Sequence, residues 1–190
     1  MSRKQQRRTA EELLGLGFTH QQVHDQLMRE YPDAKPKRLA EMLRYMPSLW
    51  AKERLEEQHQ LLLGLILLNG ALHLWHRFEP TTFQWEHAHR VISVVPFATM
   101  LVWWGIKRWR GELFQWVGIG NLLGALGLIK QLKAFAQGEV DPWNMMFGMF
   151  SLAIGLLAYT IFKQAFPKYA MSHDGLHGVP RVTFAPTVVM

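Results

Sequence analysis

Polar and charged positions dominate the first sixty residues, and apolar positions then gather into four runs: 61–78, 91–109, 113–129 and 143–166. A bilayer core needs roughly 20 apolar residues in helical form, with a range of about 17–25. Each run meets that length once its aromatic flanks are included. None carries Asp, Glu, Lys or Arg in its central part. A soluble core helix would show a polar stripe at every third or fourth position, and these runs do not. The pattern predicts an all-α protein built on a four-helix transmembrane bundle. Its membrane helices are expected over 59–78, 91–109, 113–130 and 143–166. Trp and Tyr favour the headgroup zone, and Trp75, Trp85, Trp103, Trp104, Trp109, Trp116, Trp143 and Tyr169 stand at or near the ends of the runs.

The polar N-terminal segment predicts a small three-helix cytoplasmic domain over 1–47. Thr9 to Glu12 has the spacing of a capping box, in which a hydroxyl and a Glu or Gln three residues on satisfy each other's backbone donors. Thr19 to Gln22 repeats the pattern and opens a helix carrying Val23 and Leu27 on one face. Tyr31-Pro32-Asp33 ends it. Pro36 suits the first turn of a third helix, with Leu39, Met42 and Leu43 on its inner face. The core is expected to hold Leu13, Leu16, Phe18, Val23, Leu27, Leu39 and Leu43.

Ser48 is placed to cap a long element. No Pro interrupts 48–78, so one continuous helix is expected there, roughly 45 Å long at 1.5 Å per residue. The first membrane helix would then extend from the bilayer as a stalk. The membrane domain is assigned to 48–168. Residues 169–190, with Gly175, Gly178, Pro180 and Pro186 and no helical period, read as an extended cytoplasmic tail.

Composition changes this picture little: 49% hydrophobic residues and a mean hydropathy of -0.04 would pass for a soluble protein, because the average hides the segregation. Charge adds orientation. Arg44, Lys52, Arg54, Lys107, Arg108, Arg110, Lys163 and Lys168 fall on one side of the bundle, and Arg77, Arg90, Lys130 and Lys133 on the other. Cytoplasmic loops collect Lys and Arg. Both termini are therefore expected in the cytoplasm, with the protein in a bacterial inner (plasma) membrane. The basic start, Met1 to Arg8, is followed by no apolar stretch of the secretory type.

The absence of cysteine excludes disulfides, thiolate metal sites and cysteine nucleophiles. There is no Walker A loop, GxSxG or HExxH motif and no intramembrane carboxylate pair, so neither an enzyme nor a cofactor is expected. Three groups of residues remain as candidate chemistry. Asn69 and Asn121 sit within the first and third runs, where a buried amide needs a partner. They are read as interhelical contacts, or alternatively as a ring of amides in an oligomeric pore. Gly120, Gly124, Ser151 and Gly155 form two small-xxx-small spacings that let helices approach closely. The histidines His73, His76, His87 and His89 flank the first hairpin. They are read as interfacial residues with a pH-sensing alternative. A haem- or quinone-linked anchor is a further alternative. His173 and His177 in the tail lack the helix that an HxxxH metal pair wants.

The run Leu14-Gly-Leu-Gly-Phe18, followed by Val23, Leu27, Leu39 and Leu43, resembles small three-helix folds of the ubiquitin-associated or helix-turn-helix kind. The resemblance implies protein docking or nucleic-acid binding. Residues 1–60 carry nine acids against eleven Lys and Arg. No aromatic platform interleaves the basic ones, so nucleic acid is not expected as a partner. The expected function is a non-enzymatic, homo-oligomeric membrane subunit, an anchor or sensor. It would dock a cytoplasmic protein partner through Leu14, Phe18, Met28, Tyr31 and Met46. Its expected partners are the bilayer, itself and that protein. A channel or membrane-disrupting effector of a bacterial defence system is the principal alternative.

Overall fold

The computed structural model describes residues 3–77, 88–139, 141–173 and 180–185. The chain is mostly helical and divides into two compact units, residues 1–56 with 162–190, and residues 57–161.

The first unit holds α1 (Arg3–Gly15), α2 (His20–Glu30), α3 (Pro36–Arg44) and α4 (Leu49–Arg54). Thr19 caps α2 with a complete capping box, its hydroxyl accepting from the Gln22 N–H while the Gln22 side chain accepts from the Thr19 N–H. Pro36 opens α3, and the Ser48 hydroxyl accepts from the Ala51 N–H at the start of α4. The Thr9 to Glu12 spacing is not a cap. Helix α1 runs through it, and Glu11 and Glu12 instead accept from Arg7 and Arg8 one turn earlier, at 2.9 and 3.0 Å. Because α1 starts at Arg3, the N–H groups near Thr9 already bond within the helix and leave no orphan donor to cap.

The core of this unit is Ala10, Leu14, Val23, Leu27, Leu39, Leu43 and Met46. Leu16 is 74% exposed and Phe18 39% exposed, against the core places expected for them. Local geometry explains this. Helix α1 ends in a Schellman motif, with Gly17 N–H bonding to Leu14 O, Phe18 N–H to Leu13 O, and Gly17 in the left-handed region at φ 88°. That turn swings Leu16 and Phe18 outward.

The described part of the expected extended tail, 169–173 and 180–185, forms a hairpin. Strand β1 (Tyr169–His173) pairs antiparallel with β2 (Pro180–Phe184), Met171 lying opposite Val182. Val182 is buried, and Phe184 packs against the helical core. One side chain of α2 bonds the hairpin twice. Gln21 Nε2 donates to Val182 O at 3.2 Å, and Gln21 Oε1 accepts from Phe184 N at 3.1 Å. A single amide thus satisfies the outer edge of β2 as a third strand would. The N-terminal domain expected over 1–47 therefore includes the chain's C-terminal hairpin.

The second unit is formed from α5 (Glu56–Arg77), α6 (Ala88–Lys107), α7 (Gly111–Ala125), α8 (Gly127–Ala136) and α9 (Pro142–Ala165). The continuous helix expected over 48–78 is interrupted at Leu55, which has φ -101° and ψ 9° and separates α4 from α5. The residue is buried and is neither Pro nor Gly, so no sequence breaker marks the spot. Phe78 lies outside the described residues. The third run is divided at Leu126, whose backbone stays in the right-handed helical region at φ -59° and ψ -24°.

Two helices among the described residues are long and apolar enough to cross a membrane: 111–136 with mean hydropathy 1.3, and 142–165 with 1.9. Helices α7 and α9 touch backbone to backbone. A Cβ on Gly118 would lie 3.3 Å from Tyr159 N, and one on Gly155 would lie 2.9 Å from Leu122 N.

Candidate functional sites

The expected sites fall into three groups, and the structure treats each differently. The two amides do not meet. Asn121 Nδ2 donates to Val117 O of its own helix at 2.9 Å, so its donor is used one turn back rather than on a neighbouring helix. Asn69 Oδ1 is buried with no hydrogen-bond partner among the described residues. Of the small residues, Gly124 faces Ser151 at 3.8 Å and Gly155 faces Leu122, all within this chain. Gly120 faces open space. The close packing joins α7 to α9, and Gly118 rather than Gly120 is the third member.

His73 and His76 are drawn to aromatic rings. His73 stacks on Phe147 with centroids 3.8 Å apart and planes 7° apart, and His76 lies 4.8 Å from the Trp143 ring. The stacking faces of both histidines are thus turned to the first turns of α9. His87 lies outside the described residues, as does the side chain of His89. Among the described residues no three His, Cys, Asp or Glu side chains gather as a metal site.

The expected docking residues separate by burial. Leu14 at 2% exposure and Met46 at 5% belong to the core, so neither offers a surface. Met28 and Tyr31 are partly buried against that core. Phe18 is exposed and is joined by Leu16, its neighbour across Gly17. The exposed large apolar side chains of this unit are Leu16 and Phe18 at the α1–α2 turn and Leu49 and Trp50 on α4. The apolar character that placed Leu16 in the expected core carries no information about a chain reversal one residue later.

Two further sites were not anticipated. The first is a pair of buried histidines on α2. His20 Nε2 lies 2.7 Å from Met46 O, and His24 Nε2 lies 3.4 Å from Pro36 O. Both rings flank Phe184 of the hairpin, at 5.8 and 5.9 Å. Burial pushes the His20 imidazole below the ordinary histidine value, and the Met46 carbonyl opposes this in part.

The second lies where α6 turns into α7. Trp109 is the one non-glycine residue with positive φ among the described residues, at 54°. Trp109 N–H bonds to Ile106 O at 2.8 Å, and Arg110 N–H to Gly105 O at 3.2 Å. This is a Schellman motif with tryptophan in the place that glycine takes at Gly17 and again at Gly138. His59 of α5 closes the arrangement. Its Nε2 donates to Ile106 O at 2.9 Å, and its ring stacks on Trp109 at 4.2 Å. Phe114 of α7 lies 5.8 Å from Trp109 and is fully buried. The sequence signal was weak: a polar Gln58-His59-Gln60 stretch on one side, and a turn without glycine on the other.

The class these features define is a mostly helical chain with one unit of helices and a β-hairpin and a second unit containing two helices of membrane-crossing length and apolarity. Comparison with protein-family models, with curated proteins and with solved structures finds no match.

Proposed function

We propose that the chain is a non-enzymatic integral membrane subunit. Four helices, α5, α6, α7 with α8, and α9, cross the bilayer, and the first unit lies in the cytoplasm as a docking domain. One observation carries the membrane reading. Large apolar side chains of the second unit stand exposed on each helix, among them Trp75, Met100, Trp116, Phe135 and Met149, while buried His59 lies inside. Soluble monomers rarely expose continuous apolar surface beyond a few hundred Å². The first unit closes a compact apolar core, and its exposed large apolar side chains are confined to Leu16, Phe18, Leu49 and Trp50. Topology adds support. The first unit takes chain from both ends, before residue 57 and after residue 161, which supports an even number of crossings. The Lys and Arg bias then assigns that unit to the cytoplasm.

The docking role rests on Leu16 and Phe18, both exposed at a turn where Gly17 takes a φ of 88°. Homo-oligomerisation belongs to the same reading. Here Gly120 and the exposed face of α7 are the free surface, because Gly118, Gly124 and Gly155 are engaged within the chain. The test is a crosslinked pull-down of full-length protein against a Leu16→Ser/Phe18→Ser variant. The variant is expected to insert and oligomerise normally while losing the cytoplasmic partner. Equal recovery from both proteins places the docking surface elsewhere.

A further inference from the structure

We infer that the α6–α7 turn is a binding collar for the headgroups of anionic phospholipids, formed by Lys107, Arg108 and Arg110 above a belt of tryptophan rings. This rests on the membrane reading above and goes beyond it by giving one turn a defined lipid chemistry.

Three cations occur within four residues, and all three are exposed. None makes an ion pair among the described residues, where the ion pairs are Arg7–Glu11, Arg8–Glu12 and His24–Asp25. Two of the three are instead held over indole rings. Lys107 Nζ lies 4.8 Å from the Trp103 ring centroid, and Arg108 Cζ lies 4.3 Å from that of Trp104. A ring face attracts a cation without neutralising it, and the N–H donors at the edge of the group remain free for an anion. A phosphodiester suits them: the guanidinium fork bonds two phosphate oxygens at once, and the ammonium adds a point charge.

The setting selects a lipid over a soluble anion. Trp104 is half exposed and Trp116, further down α7, is 70% exposed. From Leu113 to Ile129 the chain carries no charged residue. Cation, indole and hydrocarbon surface thus follow one another in the order phosphate, glycerol and acyl chain take in a leaflet. The left-handed Trp109 reverses the chain sharply enough that all three cations share one tip. Glu112 follows in the first turn of α7, where the helix dipole favours a carboxylate.

The experiment is native mass spectrometry of delipidated full-length protein in detergent. It is offered equimolar phosphatidylglycerol and phosphatidylcholine with identical acyl chains. Wild type should retain phosphatidylglycerol in roughly tenfold or greater excess, given three cations near the headgroup plane. A K107Q/R108Q/R110Q variant should bind both lipids about equally. A K130Q/K133Q variant should keep the preference, since among the described residues no aromatic ring lies beneath those lysines. Circular dichroism and elution volume establish that each variant is folded. Equal retention by wild type, or an undiminished preference in the triple variant, overturns the inference. Loss of the cytoplasmic partner from the triple variant with lipid preference intact would assign the turn to an acidic protein surface instead. Reconstitution into vesicles separates the two levels. Protein that inserts but shows no headgroup preference removes the collar alone, whereas protein that fails to insert removes the membrane reading too.

Discussion

His59 and Trp109 are joined twice: their rings stack at 4.2 Å, and His59 Nε2 donates to the Ile106 carbonyl that also accepts the Trp109 N–H. The stack compensates for an unfavourable backbone. A bulky residue in the left-handed region costs on the order of 1–3 kcal/mol, and glycine would avoid it. The ring contacts with His59 and Phe114 offset that cost, and they are lost when either ring is removed. Thermal melting of His59→Ala, Trp109→Ala and the double variant in detergent should therefore be non-additive, with a coupling of about 0.5–1.5 kcal/mol. Additive losses would show that the contact is incidental.

Gly155 and Gly120 make a matched pair of substitutions. Alanine at 155 places a methyl 2.9 Å from the Leu122 backbone nitrogen, which cannot yield as a side-chain tip would. Gly155→Ala should cost about 1–3 kcal/mol through overpacking. Gly120→Ala meets nothing within 4 Å and should leave monomer stability unchanged. Thermal unfolding read by circular dichroism distinguishes them. If Gly120→Ala instead abolishes an oligomer seen by light scattering, the free face of α7 is its interface.

Gln21 anchors the hairpin with both ends of one amide. Gln21→Leu keeps the bulk and leaves Val182 O and Phe184 N–H without their partner. Both bonds are part-buried, so the loss of each should cost about 0.5–1.5 kcal/mol. Amide hydrogen exchange at Val182 and Phe184 should accelerate by one to two orders of magnitude, while that of Leu43 slows or accelerates little. Unchanged exchange would mean that Phe184 packing alone holds the hairpin.

The first unit should weaken in mild acid. His20 has its imidazole pKa lowered by burial in the folded domain. The unfolded chain then takes up a proton at the ordinary value of about 6.5, before the folded chain does. Its contribution is fully present above that pH and is lost as pH falls from there towards the depressed folded value. Denaturant midpoints of the first unit should decline over that interval in wild type and less steeply in His20→Gln. Parallel profiles would assign the pH dependence to other groups.

The parts of the fold that were legible in the sequence are those governed by local pattern. Thr19 and Gln22 declare a capping box, Pro36 a first turn, and the run from Trp143 a long apolar helix, and each is observed. What escaped the sequence depends on distant partners. Nothing local in Val182-Thr183-Phe184 announces that it will pack on α2 some 160 residues earlier in the chain. Leu14 and Leu16 look equivalent in composition but stand about 200° apart at the end of α1, just before Gly17 turns the chain, so one is buried and the other exposed. Trp109 contradicts its own propensity, so only the stacked His59 makes its conformation intelligible. The small-residue spacings were visible, but which of them faced a helix was not, because Gly118 and Gly120 differ by 200° around one helix.

The central claim is that one unit, made from both ends of the chain, sits on the cytoplasmic side of a membrane crossed an even number of times. The chain contains no cysteine, so single introduced cysteines report sidedness without background. Glu11→Cys and Thr183→Cys mark the two ends of the first unit, and Gln137→Cys marks the turn between α8 and α9. A membrane-impermeant maleimide is applied to intact cells and to permeabilised ones. The account predicts labelling at residue 137 in intact cells, and labelling at residues 11 and 183 only after permeabilisation. Labelling of residues 11 and 183 from opposite sides, or of either one in intact cells, would contradict it.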